Sequence, residues 1–526
     1  MPWFASVLIN SVYSLYRFID PILMKATARA HVPQEIELKL ALPVSDPAAL
    51  AKRLARTPLL ARRKASRQHL HNVYYDTPEQ ALRRARAALR LRRVGGQRRP
   101  QWLQTLKLGD AGDSALTRRG EWETAVPGAA LAIDALQATP WSRIDTDGTL
   151  LSRLVPCFAT TFERTSWLVR RRDGSVIDVA LDIGEIVVAG RTEAICELEL
   201  ELRAGEPAVL FEVALQLCAA AAMLPLGVSK AERGYALLEG LQDMPLRARP
   251  VELTSELSLR RAASLVLREM FHQFTANLVA LRTSDDPEVV HQARIGWRRF
   301  KGATRLFKPA LADSAPPSWQ ALAPLMEALG ELRDLDVAAT QTLPGLAGDY
   351  AGGDERRNHA WEGLVSAVSQ AAVAQRHAAR AALEQPAVGA ALIAAAQWLE
   401  ALPGSGEGAG TASEPSGGAS LHHWAGRRLR RMRVKLKAAS KRANDPAGRH
   451  RVRILAKRLR YGVEALRTLL PERRARRWQE QAAGMQTAIG VARDVIQAAV
   501  IASRLGSDPE MAAFLRGVAV GLERGE

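Results

Sequence analysis

The sequence predicts an α+β region followed by an all-α region: a closed antiparallel β-barrel with a polar lumen, then a helical bundle. Three observations lead there. Hydrophobic residues recur with period two from Gln34 to about Gly240, and with helical spacing, rich in Ala, Leu and Arg, from about Ser255 onward. Several strands of the first region carry charge on one face, and a basic helix of the second occurs twice.

A chain of 526 residues is too long for one core, so two or three domains are expected. Pro245 and Pro250 break the pattern between Asp243 and Glu252, which sets a first domain over 34–243 and a second over 253–522. The Gly/Ser-rich stretch over 403–420 cannot bury a core and reads as a flexible insert between two helical halves. Residues 1–33 read as an N-terminal extension. They are apolar and aromatic, but Arg17 and Asp20 interrupt them before a membrane-spanning length is reached. They lack the basic start and cleavage site of a signal peptide, which leaves an appended amphipathic helix, an early start codon or a peripheral membrane anchor.

Cys157, Cys196 and Cys218 have neither zinc-site nor CxxC spacing, and any disulfide would leave one thiol over. A reducing cytoplasm is the simplest reading. The formal charge of +18 implies a polyanionic partner, with nucleic acid, anionic lipid and polyphosphate as candidates.

In the segment Glu35 to Leu42, Glu35, Glu37 and Lys39 point one way and Ile36, Leu38, Leu40 and Leu42 the other. The same alternation appears in Leu89–Arg92, Arg119–Glu123, Asp178–Asp182 and Glu197–Leu202. A single strand of this kind usually has one wet face. A set in which some strands concentrate Glu and others supply only Lys and Arg fits a closed barrel better. Clustered carboxylates there hold a divalent cation, and basic residues surround the phosphate oxygens that complete its shell. Phosphoryl transfer needs that division of labour, because its catalysis is mostly positioning and charge neutralisation.

The ordered series ExExK (Glu35, Glu37, Lys39), Tyr74-Tyr75-Asp76-Thr77-Pro78, Arg90-x-Arg92, Lys107, Arg119 with Glu121, ELELEL, and Ser229-Lys230-Ala231-x-Arg233-Gly234-Tyr235 resembles the CYTH or triphosphate tunnel metalloenzyme family over Gln34 to Gly240. It is most similar to the bacterial inorganic triphosphatases with a helical extension. The resemblance implies an eight-stranded tunnel that hydrolyses tripolyphosphate to pyrophosphate and phosphate with Mg2+ or Mn2+. It implies Glu35, Glu37, Glu197 and Glu199 as metal ligands, with Glu35, Glu37 and Lys39 as catalytic residues. Lys39, Arg90, Arg92, Lys107, Arg119, Arg164 and Lys230 would hold the triphosphate. Glu201 shares the strand face of Glu197 and Glu199, so which two of the three bind metal stays open. Asp182 could add a carboxylate, and Arg233 could form a structural ion pair.

In the second region His291-x2-Arg294-x3-Arg298-Arg299-x-Lys301 recurs as His450-x2-Arg453-x3-Lys457-Arg458-x-Arg460. Gly330-x2-Arg333-Asp334 recurs as Gly490-x2-Arg493-Asp494, so the region is internally duplicated. Offsets of zero, three, seven and ten fall on one helical stripe, which puts a histidine and three cations on one face of each copy. Between Arg427 and Arg477 twenty Lys and Arg face only Asp445, Glu464 and Glu472, so a multivalent anion is needed to neutralise them. The repeat resembles the CHAD domain, a helical module associated with polyphosphate. The resemblance implies polyphosphate binding by His291, Arg294, Arg298, Lys301, His450, Arg453, Lys457 and Arg460, and makes long-chain polyphosphate a partner. The Ala-rich stretch from Ala360 to Ala401 carries little of this pattern and leaves the middle helices unplaced.

The expected function is therefore a cytoplasmic, metal-dependent inorganic triphosphatase with a basic helical domain. Two alternatives compete: a non-catalytic polyphosphate-binding protein recruited to polyphosphate granules, and an adenylate cyclase or thiamine triphosphatase using the same tunnel. A P-loop enzyme is excluded, since no GxxxxGK[ST] is present. Specific nucleic-acid binding is not expected either, because Tyr461 is the one aromatic among the basic residues of 427–477 that could stack on a base.

Overall fold

The computed structural model describes residues 34–43, 46–96, 100–109, 114–402, 420–443 and 445–524. The N-terminal extension and all but the last residue of the Gly/Ser insert lie outside them.

Eight strands form the first region: β1 (Gln34–Ala41), β2 (Ala65–Asp76), β3 (Ala87–Val94), β4 (Gln101–Leu108), β5 (Leu116–Val126), β6 (Val155–Arg170), β7 (Val176–Val188) and β8 (Arg191–Ala204). They run β5-β4-β3-β2-β6-β7-β8-β1, every neighbour antiparallel, and a further β1–β5 pairing closes the sheet into a barrel. Closure removes the free edges an open sheet would expose. A two-residue strand, β9 (Leu224–Pro225), pairs with β1 at Leu40 and Ala41.

Alternation then does the sorting. Side chains at Glu35, Glu37 and Lys39 enter the lumen, while Leu38, Leu40 and Leu42 leave the barrel and are at most 1% exposed. Each such leucine contributes roughly 1.5–3 kcal/mol by burial. Helices Ala208–Leu217, Leu259–Ala280 and Pro386–Ala401 supply the apolar cover, and Phe211, Phe274 and Leu392 share one core with Leu38 and Leu40. The core is therefore continuous from the barrel into the helical region. The segment between them is tied down as well: Leu246 N–H donates to Asn277 Oδ1 at 3.0 Å, and Arg249 N–H to Glu269 Oε1 at 2.8 Å.

The duplicated helices are Pro287–Leu306 and Pro446–Ala465. Both start on an Asp-Pro pair. Asp286 accepts from Glu288 N–H and Asp445 from Gly448 N–H, and the proline takes the first helical position, where its missing N–H costs nothing. The duplication thus extends to the caps. The second matching element of each copy lies on Ala323–Val337 and on Glu472–Arg504. The Ala-rich middle consists of two helices, Glu355–Leu383 and Pro386–Ala401. Among the described residues no helix is long and apolar enough to cross a membrane.

Candidate active site

The barrel encloses a cavity of about 490 Å³. Its lining includes the carboxylates Glu35, Glu37, Glu121, Glu123, Asp178, Glu199 and Glu201, and the cations Lys39, Arg90, Arg92, Lys107, Arg119, Arg164, Arg203 and Lys230. So dense a mixture of charge in a closed space points to a ligand that is itself highly charged.

Register decides which acids meet. Across the β1–β8 ladder Glu37 stands opposite Glu201, Lys39 opposite Glu199, and Ala41 opposite Glu197. Glu35 stands opposite Arg119 across β1–β5. Lys107 Nζ reaches Glu35 at 2.8 Å and Glu121 at 3.2 Å. Burial raises the Glu35 pKa, but Lys107 and Lys39 outweigh it and hold the carboxyl at about 2. Glu37 is the opposite case. It is 3% exposed, and burial and Glu199 against the pull of Lys39 push it to about 7. Its Oε2 lies 2.8 Å from Lys39 Nζ, yet no donor meets that atom in hydrogen-bonding geometry. An ionised carboxylate so placed lacks compensation that a bound cation would give. Glu201 is likewise pushed to about 7 by burial, against Arg203, with Glu35 and Glu37 adding repulsion.

Glu197 sits elsewhere. It is 1% exposed, does not line the cavity, and is bound by Lys230 Nζ and, at 2.9 Å, by Arg233 Nη1. Asp182, Glu197 and Glu199 form a compact three-acid group, but Lys230 donates to all three, at 2.6 Å to Asp182 and 2.8 Å to Glu199. Arg164 adds a bidentate pair to Asp182 at 2.7 Å and a further bond to Glu199. These neighbours overcome burial and keep Glu199 well below the usual carboxylate range. Lys230 is delivered by helix Lys230–Glu239, whose capping box reciprocally joins Ser229 and Glu232.

Arg90 and Arg92 reach Glu121 and Glu123 only at 3.4–3.9 Å. Arg119 Nε is buried without a hydrogen-bond partner. Arg90, Arg92 and Arg119 thus keep more donor capacity for a ligand than Arg164 and Lys230 do, whereas Lys107 already donates to both Glu35 oxygens.

In the helical region the two repeats meet. Arg299 on Pro287–Leu306 forms a 3.1 Å ion pair with Glu464 on Pro446–Ala465, which ties the two helices together. Arg294 and Arg298 of one copy lie within the electrostatic field of Arg453 and Lys457 of the other, with Arg333 and Arg493 beside them. Burial, then Arg453, Arg298 and Arg493, lower Lys457 to about 8. The Nε atoms of Arg298 and Arg453 are buried and unpartnered. His291 is pulled down to about 4 by burial and Arg333, so it is neutral at neutral pH, while His450 is exposed. Lys301 lies over the Trp297 ring and Arg460 over that of Tyr461.

Residues 33–235 match the CYTH domain and residues 265–502 match the CHAD domain. The chain joins a CYTH domain to a CHAD domain. An inorganic triphosphatase from Haemophilus influenzae is 32% identical over 206 residues, which are 39% of this chain and 55% of that protein. The chain thus spans little more than half the length of that relative. Among solved structures, the CHAD domain of Ricinus communis is 27% identical over 54% of this chain and 92% of its own, with a TM-score of 0.44. A Hippeastrum protein described as a candidate adenylyl cyclase with dominant triphosphatase activity is 20% identical over 38% of this chain and 95% of its own, with a TM-score of 0.29.

The CYTH barrel therefore gathers Glu35, Glu37, Lys39, Arg90, Arg92, Lys107, Arg119, Arg164, Glu199 and Lys230 around one lumen and leaves Glu197 outside its lining. Glu123 and Arg203 also line it and were not singled out from sequence. Strand alternation from Glu121 and Glu201 could have found both. In the CHAD domain the basic residues of the two halves converge rather than forming separate patches, and Arg333 and Arg493 join them. Arg299 is buried, held by Glu464 and by Gln273 at 2.8 Å, so it serves packing.

Proposed function

We propose that the CYTH domain hydrolyses inorganic triphosphate to pyrophosphate and phosphate, and that the CHAD domain holds long-chain polyphosphate. The observation that carries the first part is the closed, cation-rich lumen in which the buried carboxylate of Glu37 has no hydrogen bond to its Oε2. Glu35, Glu37, Glu199 and Glu201 are the residues we assign to a divalent cation, Mg2+ or Mn2+. Glu197, 1% exposed and outside the cavity lining, we assign to structure. Such a cation would neutralise phosphate oxygens and lower the pKa of water at the site.

The chain's own part is positioning and proton handling. Lys39, Arg90, Arg92, Lys107 and Arg119 bind the triphosphate oxygens, and Arg164 and Lys230 contribute while anchored to Asp182 and Glu199. Water attacks the terminal phosphorus, the bridging P–O bond breaks, and pyrophosphate leaves along the arginines. With the cation bound the lumen carboxylates are held ionised, and one that does not ligate it can take the water's proton. Among the described residues the aromatic rings of the lining are Tyr74 and Phe162, 5% and 2% exposed, and Tyr74 already stacks on Phe158. They offer a nucleobase no platform, which favours inorganic over nucleoside triphosphate.

Phosphate release from tripolyphosphate, ATP, thiamine triphosphate and long polyphosphate, with and without Mn2+ or Mg2+, tests this reading, with ATP products checked for a cyclic nucleotide. Metal-dependent release from tripolyphosphate is expected to exceed the others. Glu37→Gln should abolish turnover yet leave retention on immobilised polyphosphate intact. Loss of both together would sink the assignment of separate roles.

A further inference from the structure

β1 makes short ladders on both sides, five residue pairs with β5 and five with β8, whereas the β6–β7 ladder has twelve. The β1–β5 ladder is the seam that closes the barrel. On this short seam Glu35 stands opposite Arg119 on the lumen side, and Ile36 stands opposite Arg118 on the outer side. Opening it would part a proposed metal ligand from a proposed phosphate ligand.

One CHAD helix packs beside β9 and reaches the seam at its C-terminal end. Near its start, a Cβ on Gly389 would come within 2.7 Å of Met223 N and 2.9 Å of Met223 O, an approach to backbone that only glycine allows. Met223 precedes β9, whose Leu224 pairs with Ala41. At its end, Glu400 accepts from Arg118 Nη1 at 2.6 Å and from Arg268 Nη1 at 2.7 Å, and Arg268 also donates to Leu399 O. The side chain of Glu400 is 10% exposed, so these charges are poorly screened. From Gly389 to Glu400 the helix advances about 17 Å at 1.5 Å per residue. From Ala41 to Ile36 the strand covers about 17 Å at its own rise. The helix thus matches this stretch of β1 in length, held beside β9 at one end and to the seam through Arg118 at the other.

We infer that helix Pro386–Ala401 is a splint that holds the tunnel shut, and that Glu400 is a positioning residue acting through Arg118 on the facing pair Glu35 and Arg119. The effect on turnover rests on the triphosphatase reading, but the fastening of the seam does not.

The test uses the full chain with Glu400→Gln, Glu400→Asp and Arg118→Gln. Hydrogen–deuterium exchange without ligand follows 34–41 and 116–126, with the β6–β7 ladder as internal reference. Glu400→Gln and Arg118→Gln are expected to speed exchange at the seam about tenfold and to leave β6–β7 within about twofold, as for a local opening. The tripolyphosphate KM should rise about fivefold with kcat changed less than about twofold, and Glu400→Asp should restore both. Seam exchange that stays unchanged in both glutamine variants, or rises equally in β6–β7, overturns the inference. Arg118→Gln leaves the Glu400–Arg268 pair intact, so it serves if Glu400→Gln fails to fold. A chain that releases no phosphate at all would refute the proposed activity and still leave the splint decided by exchange.

Discussion

Glu37 and Glu201 face each other across the β1–β8 ladder, and both carboxyls are pushed to about 7. Burial is the largest cause for each, with Glu199 adding to Glu37, and Glu35 and Glu37 adding to Glu201. Their folded pKa values exceed the unfolded ones, so the folded state binds more protons, and metal-free stability falls as pH rises from about 4.5 through 7. Glu35 and Glu199 are shifted down and are ionised in both states above about pH 6, so they give little slope there, and the difference between wild type and Glu201→Gln removes their share below it. His291, lowered to about 4, gives the opposite slope below 6.5, and a wild-type minus Glu201→Gln difference removes it. Thermal unfolding of metal-free protein between pH 5 and 8 should show Tm falling less in Glu201→Gln than in wild type. Mn2+ should raise the wild-type Tm more at pH 8 than at pH 6. Equal Mn2+ shifts at both pH values would remove this pair from the cation site.

Lys230 is the counter-ion of three carboxylates, and removing it leaves them facing one another with Arg164 and Arg233 as remaining partners. Breaking a buried ion pair by deleting one partner costs about 3–5 kcal/mol. Lys230→Met should lose stability on that scale in urea unfolding, and adding Glu197→Gln should recover part of it. If the double variant is no more stable than Lys230→Met, Glu197 is not neutralised chiefly by this lysine.

Strand alternation made the lumen readable in sequence, because period two fixes which side chains share a face. It does not fix which strand faces which. That Glu201 rather than Glu197 stands beside Glu37 follows from the β1–β8 register, a long-range pairing no local pattern encodes. Lys230 was legible as a cation near the ligand, whereas its three-acid socket joins β7, β8 and a helix far apart in sequence. The CHAD repeat was legible because duplication leaves matching residues at matching spacing. Helix Pro386–Ala401 was not, since its Ala-rich face fits many neighbours and gains meaning only from Met223 and Arg118.

Gly234 lets the Lys230 helix dock on the barrel. A Cβ there would overlap the Phe158 ring, which is itself stacked on Tyr74 and edge-on to Tyr235. The ring is 4% exposed and has no free space to enter, so Gly234→Ala must displace the helix. Overpacking of this kind costs about 1–3 kcal/mol. Urea unfolding should show that loss, and tripolyphosphate affinity should fall as Lys230 withdraws. Phe158→Leu in the same chain should restore part of both, and failure to do so would place the strain elsewhere.

Lys457 gives the basic cluster of the CHAD domain a pH dependence. Burial, then Arg453, Arg298, Arg493 and Arg294, lower its pKa to about 8, below the ordinary lysine value. A polyanion on the cluster reverses that repulsion and raises the pKa, so binding takes up a proton when the free lysine is partly neutral. Affinity for long polyphosphate should therefore strengthen as pH falls from about 9 to 7 and level off below. Calorimetry in buffers of different ionisation enthalpy should detect uptake of up to about one proton near pH 8.5. In Lys457→Arg, charged throughout, uptake should vanish and affinity stay flat over the same range. By the same sign the unliganded fold gains stability from pH 8 toward 10.5, where the unfolded lysine still holds its proton. Proton uptake that persists in Lys457→Arg would assign the titration to another group of the cluster.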